Sequence, residues 1–154
     1  MNEAEELRYL VLAAQREGNR MLAKGLRSLG LTPSQAEVLR VLQDHQPLSL
    51  MDLGGLLVCE TGSPSRLVSG LVDAGLVERT PSEADRRMVT LSLTREGEEA
   101  ASGVAEVEAA LHSTISEAFN EDELSGTIAA LRRLVAGRPA GEALARRSDH
   151  SRLP

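Results

Sequence analysis

"LVERTPSEADRRMVTLSL", residues 76–93, is the stretch that decides the fold. Two strand-like runs, LVERT and MVTLSL, flank the seven residues 81–87, and the second run alternates apolar with polar residues. Such a pattern predicts a β-hairpin with one half-buried face and a long charged loop. Because Arg86 and Arg87 lie in that loop, the hairpin is predicted to carry two guanidinium groups at its tip.

Three short helices are predicted ahead of the hairpin. Thr32, Ser49 and Ser63 each stand before an amphipathic run, as N-cap residues do, and the first and third are followed by proline. Gly75 ends the third helix. Three short helices followed by a hairpin are the layout of a winged helix-turn-helix.

Longer helices are predicted on both sides of this unit. One covers residues 3–29, another runs from Thr94 to about Phe119, and Asn120 caps a last one. Their apolar stripes are too long for the small central core to cover, which predicts a two-fold dimer. The predicted fold class is therefore mainly α with a two-stranded wing, a winged helix-turn-helix with N- and C-terminal dimerisation helices.

The predicted domain organisation follows from this order. Residues 1–30 and 98–136 form a helical dimerisation region, and residues 31–97 form the winged helix-turn-helix. Residues 137–154 are rich in glycine, proline, arginine and serine, which predicts a flexible tail.

Charge is unevenly distributed along the chain, whose formal net charge is −6. Residues 98–123 hold eight carboxylates and no lysine or arginine, whereas residues 63–96 balance five arginines against five acids. An anionic partner is therefore expected to dock on the middle of the chain.

The remaining composition excludes several classes. The chain has no apolar run long enough for a membrane span and an acidic N-terminus, so a cytoplasmic protein is expected. No catalytic motif is present and the histidines His45, His112 and His150 are scattered, so no enzyme, cofactor or metal site is predicted. The single cysteine, Cys59, is either a small packed residue or an oxidation sensor.

The hairpin tip and the third short helix are the candidate binding elements. An arginine at an extended tip suits a minor groove, where the phosphates of both strands lie close. The helix from Ser63 to Ala74 would then lie in the adjacent major groove, with Ser63, Ser65, Arg66 and Ser69 towards phosphates and base edges. The alternative is that these polar residues are simply the solvated side of a helix and a loop.

The segments LTPSQAEVLRVL, SRLVSGLVDAGLVER and DRRMVTLSLTREGEE resemble the multiple-antibiotic-resistance regulator (MarR) family of bacterial transcription factors. The resemblance covers about residues 30–100. It implies a homodimer that binds pseudo-palindromic operators, usually as a repressor released by a small ligand or by thiol oxidation. It also implies that Arg87 enters the groove with Asp85 as its orienting partner, and that Ser65 and Arg66 belong to the recognition helix.

Two functional hypotheses follow. The first is a homodimeric, sequence-specific transcriptional regulator of double-stranded DNA, a repressor responsive to a small-molecule effector. Its pocket is expected between the first helix and the winged domain, near Leu10, Ala14 and Met21. The second is a winged-helix protein-interaction module that has lost DNA binding. The net acidity supports the second, as does Gly70, which occupies a position that is commonly basic in the family.

Overall fold

The computed structural model describes residues 1–59 and 63–150 of the chain. The elements follow in the order α1 (Glu3–Leu26), a 3-10 turn (Arg27–Leu29), α2 (Pro33–His45), α3 (Leu50–Leu56), α4 (Pro64–Asp73), β1 (Val77–Pro81), β2 (Val89–Leu93), α5 (Arg95–Ala118), α6 (Glu121–Val135) and α7 (Pro139–His150). No helix in the described ranges combines the length and the apolar character that a membrane crossing requires.

Side-chain caps start the helices where the sequence predicts. The Thr32 hydroxyl accepts the Gln35 N–H at 3.2 Å, and the Gln35 side chain accepts the Thr32 N–H at 2.9 Å. Asn120 and Glu123 make the same reciprocal pair at the start of α6. Each cap satisfies backbone donors that the first turn leaves unpaired and contributes about 1 kcal/mol.

The core is aliphatic, as the near absence of aromatic residues predicts. Helix α2 lies at its centre and contributes Leu39 and Leu42, both fully buried. Leu53 of α3, Leu71 of α4 and Val104 of α5 pack into the same cluster. The three short helices and the start of α5 therefore share one core, which fixes the orientation of α4.

Strands β1 and β2 form an antiparallel hairpin, the wing. Its loop spans residues 82–88, one residue later than the predicted 81–87, because Pro81 pairs with Val89. Leu91 and Leu93 are buried, but Val89, predicted on the same face, is 51% exposed. Val89 lies next to the loop, so the wing projects beyond the helices that cover its base.

The base of the wing is held from below by the segment after α2. Leu48 and Leu91 exchange two backbone hydrogen bonds, of 3.1 and 2.7 Å, in a bridge that the sequence analysis did not anticipate. The Gln46 side chain accepts the Leu93 N–H at 2.6 Å. These contacts fix the direction in which the hairpin leaves the core.

The prediction of a flexible tail over residues 137–154 is wrong for most of that segment. Its residues Pro139–His150 form helix α7, whose Ala143 is buried. The composition is poor in large apolar residues, but α7 docks on α3 through arginine side chains instead. Residues 151–154 of the predicted tail lie outside the described residues. Helix α6, by contrast, buries none of its residues in a single copy of the chain.

Candidate nucleic-acid interface

Helix α4 presents a polar outer face. Ser63 is its N-cap, with the hydroxyl accepting the Arg66 N–H at 3.4 Å, and Pro64 opens the first turn. Val68 is fully buried against the core, whereas Ser65 and Arg66 are exposed. The predicted contact residues Ser65 and Arg66 are therefore accessible, while Ser63 has a capping role.

Arg79 joins the outer face of α4 to the wing. It lies on β1, and its Nη2 donates to the Ser69 hydroxyl at 3.0 Å. Arg79 was not among the residues predicted from the sequence to contact DNA. It stands two residues after buried Val77, so strand alternation places it on the side of β1 that faces the helices. A cation at that position extends the polar surface of Ser65, Arg66 and Ser69 towards the hairpin.

At the wing tip, Asp85 shapes the backbone. Its Oδ1 accepts the Arg87 N–H at 2.9 Å, and its carbonyl accepts the Met88 N–H at 2.9 Å. The predicted contact of Asp85 with a neighbouring guanidinium is not formed, because the carboxylate is turned towards the loop backbone. In the described part of the chain neither Arg86 nor Arg87 makes an ion pair, and both are exposed. The tip therefore offers two exposed guanidinium groups on a loop that Asp85 holds in shape.

Cys59, which follows α3, is half-buried. Burial raises the pKa of its thiol to about 11, and the nearby Glu37 carboxylate contributes through a hydrogen bond and its charge. Oxidation and disulfide exchange proceed through the thiolate. The structure therefore favours the interpretation of Cys59 as a packed residue over that of an oxidation sensor.

The predicted effector residues Leu10, Ala14 and Met21 are exposed along α1 and lie on one side of it. They are not brought against the winged unit, where the sequence analysis expected a pocket. The described residues form an open groove elsewhere, at the junction of α5 and α6. It is lined by Ala118, Phe119, Asp122, Glu123, Gly126, Thr127 and Ala130.

Helix α4 and the wing define a winged helix-turn-helix of the class found in transcriptional regulators. Residues 31–97 match the family model described as a winged helix DNA-binding domain. The chain is 33% identical to the HTH-type transcriptional regulator MgrA of Staphylococcus aureus over 98 residues, 63% of this chain and 67% of that protein. It is 30% identical to the organic hydroperoxide resistance transcriptional regulator of Bacillus subtilis over 97 residues, 63% of this chain and 66% of that one.

The match thus spans about two thirds of the length of each of these relatives. Among solved structures, a cysteine-to-serine mutant of MarR from E. coli complexed with operator DNA superimposes with a TM-score of 0.76 and 26% identity. That superposition covers 87% of this chain and 96% of the other. The chain belongs to the MarR family of transcriptional regulators and is not an enzyme.

Proposed function

We propose that the protein is a homodimeric repressor that binds a pseudo-palindromic operator in double-stranded DNA, in the cytoplasm. The observation that carries this proposal is the joint presentation of two elements. The exposed polar side of α4, extended by Arg79, and the two exposed tip arginines project from one core. Exposed guanidinium groups supply both phosphate contacts and base readout, and MarR of E. coli has been seen with operator DNA.

The apolar surface of the terminal helices supports the dimer. A single copy exposes large apolar side chains on α1 and along the α5 end and α6, among them Tyr9, Leu10, Ile115, Phe119, Ile128 and Leu134. Exposed large apolar side chains along helices are characteristic of an interface, and a second copy would cover them. Sedimentation velocity at micromolar concentration should give a dimer, and Leu134→Asp should give monomers. A monomeric wild type would refute the dimer.

Effector control rests on the same surface. Leu10, Ala14 and Met21 lie on the exposed side of α1, and a small molecule bound there would act on how the two copies meet. Each recognition helix takes one half-site, and the half-sites must lie about 34–36 Å apart. A ligand that favours another spacing would release the DNA, because it shifts the equilibrium towards the dimer geometry that it binds better.

A salt titration with a matched pair of variants tests DNA binding. The probe is a duplex selected from a random-sequence pool by the wild-type protein. Arg87→Ala should weaken binding and make the slope of log affinity against log salt shallower by about 1.8. The dimer loses one phosphate contact in each copy, and each contact contributes about 0.9 to the slope. Arg138→Ala is the control, because it removes another exposed arginine, at the α6–α7 junction and away from α4 and the wing.

The same experiment separates the two functional hypotheses. If the selection recovers no duplex and the wild type captures a protein partner instead, the protein-interaction module is the correct reading. Binding with a salt slope that Arg87→Ala leaves unchanged would remove the wing from the interface. Retained binding in Arg138→Ala is needed for either conclusion, since it shows that loss of one positive charge is not enough.

A further inference from the structure

Helix α7 is attached to the C-terminal end of α3. Arg146 Nη1 donates to the Gly55 carbonyl at 3.0 Å, and Arg147 Nε donates to the Leu56 carbonyl at 2.7 Å. The last carbonyls of a helix lack intrahelical partners and carry partial negative charge, so cationic donors are favoured there. Helix α3 is the first helix of the helix-turn-helix, and these contacts reach it from 91 residues away in the chain.

The Arg147 guanidinium also pairs with the Glu37 carboxylate of α2. Glu37 in turn accepts two backbone N–H groups, Val58 at Oε1 and Cys59 at Oε2, each at 2.8 Å. Arg147 is 29% exposed and Glu37 16% exposed, so the pair is partly shielded from water. One carboxylate therefore connects α2, α7 and the two residues through which the chain leaves α3.

Charge supports this arrangement. Although burial alone would raise the pKa of Glu37, hydrogen bonds from Cys59 and Val58 and the charge of Arg147 leave it lower than usual. Glu37 is thus ionised at neutral pH, as the hydrogen bonds require. An ionised acceptor makes stronger hydrogen bonds to backbone N–H groups than a neutral one.

We propose that Arg147 and Glu37 are positioning residues for DNA recognition. Together they hold Val58 and Cys59, the residues that follow α3. From there the chain continues to the N-terminal end of α4, which carries Ser65 and Arg66. The middle of α4 has other anchors, Val68 in the core and the Ser69 bond to Arg79. The Glu37 carboxylate anchors the chain on the other side, ahead of Ser63. This inference rests on the proposed function. It makes helix α7 a structural support of the DNA-recognition helix α4.

The test compares Arg147→Met with Arg138→Met in the full chain. Affinity is measured for the selected duplex and for a scrambled duplex of the same length. Arg147→Met should weaken binding to the selected duplex about tenfold and leave the affinity for the scrambled duplex and the salt slope unchanged. Arg138→Met should change neither affinity. Arg147→Lys should fall between wild type and Arg147→Met, because a single ammonium cannot span both acceptors as the guanidinium does.

Two outcomes overturn the proposal, and a third is distinguishable from them. An unchanged ratio of selected to scrambled affinity in Arg147→Met, even with a lower melting temperature, would reduce Arg147 to a stability residue. A parallel loss for both duplexes with a flatter salt slope would make it a phosphate contact. Failure of the wild type to bind any duplex would instead refute the proposed function itself.

A measurement without DNA tests separately whether the Glu37 carboxylate holds the residues that follow α3. Exchange of the Val58 and Cys59 amide protons, followed by nuclear magnetic resonance, should accelerate about tenfold in Glu37→Ala and by a smaller factor in Arg147→Met. Arg138→Met should exchange like the wild type. If the two amides exchange at wild-type rates in Glu37→Ala, the carboxylate does not hold this segment and the proposal fails.

Discussion

Gly70 stands on the outer face of α4, in the interior of the helix. Apart from its own helix backbone and chain neighbours, no atom of the described residues lies within 4 Å of a Cβ built there. A side chain at this position would extend away from the core, on the side that carries Arg66, four residues earlier. Gly70→Lys should therefore be accommodated without a clash. Glycine in a helix interior costs about 1 kcal/mol relative to alanine, and lysine is nearly as good a helix former as alanine. The variant should fold at least as stably as the wild type.

The effect on DNA binding can be given a magnitude. If α4 lies in the major groove, the new ammonium reaches a phosphate, and a dimer gains two such contacts. The salt slope should steepen by about 1.8, since each contact adds about 0.9. The ratio of variant to wild-type affinity should then rise about twelvefold when salt is lowered from about 200 to 50 mM. Fluorescence anisotropy of a labelled duplex, titrated at several salt concentrations, measures both quantities.

Two further variants isolate the cause. Gly70→Ala brings the gain in helix propensity without the charge, so it should stabilise the fold and leave the salt slope alone. Gly18→Lys adds the same charge on α1, where a Cβ is also unobstructed, and it should leave the slope alone provided the protein stays dimeric. A Gly70→Lys protein that binds no more tightly at low salt than the wild type would show that this face of α4 does not meet phosphates.

Three more predictions concern other parts of the chain. Gly97→Ala should lower the free energy of unfolding in urea by roughly 1–3 kcal/mol, because its Cβ would lie 1.9 Å from the Leu76 carbonyl oxygen. A variant of wild-type stability would mean that α5 shifts freely against the wing. Arg79→Ala should weaken operator binding several-fold in an anisotropy titration, since it removes a cation and frees the Ser69 side chain; an unchanged affinity would exclude Arg79 from the interface. Alkylation of Cys59 by iodoacetamide, followed by mass spectrometry, should be slow at pH 7 and accelerate about tenfold per pH unit until about pH 11, because burial and Glu37 favour the protonated thiol. The raised pKa of the Cys59 thiol stabilises the fold fully below about pH 9, and this contribution is lost as pH rises through about 11. Fast alkylation of Cys59 at pH 7 would contradict the raised pKa of its thiol.

The sequence predicted those features that depend on neighbours within a few residues. Caps such as Thr32 with Gln35, and the alternation that forms β2, are local patterns, and the structure contains both. Asp85 lies at the wing tip, and in the unbound chain its carboxylate accepts a backbone N–H rather than a guanidinium N–H. A carboxylate accepts a hydrogen bond from the backbone N–H two residues later as readily as from a guanidinium group. The sequence does not distinguish these two donors.

Helix α7 shows why the rest could not be predicted. Its composition is that of a flexible segment, and its attachment depends on Arg147 meeting Glu37, a residue 110 positions earlier. No apolar periodicity in residues 137–150 predicts that contact. The groups that bind the arginines of α7 are carbonyls and a carboxylate rather than an apolar stripe. Leu48 was missed for the same reason, since its bridge to Leu91 becomes visible only when α2 and the wing are in place.

The net charge of −6 is the strongest argument in the sequence against a nucleic-acid partner, and the structure shows why it is weak. Strand β2 is five residues long, so at about 3.3 Å per residue it separates the wing tip from the start of α5 by roughly 16 Å. Charges interact strongly only within a screening length, about 8 Å at physiological ionic strength. The carboxylates that begin at Glu98 lie beyond that distance along the chain, and Arg40 offsets that of Glu108 at 3.1 Å. The tip loop balances Arg86 and Arg87 against Glu83 and Asp85, so a phosphate at the tip meets a locally neutral loop with two exposed guanidinium groups rather than the net charge of −6. The acidic α5 disfavours docking in other orientations.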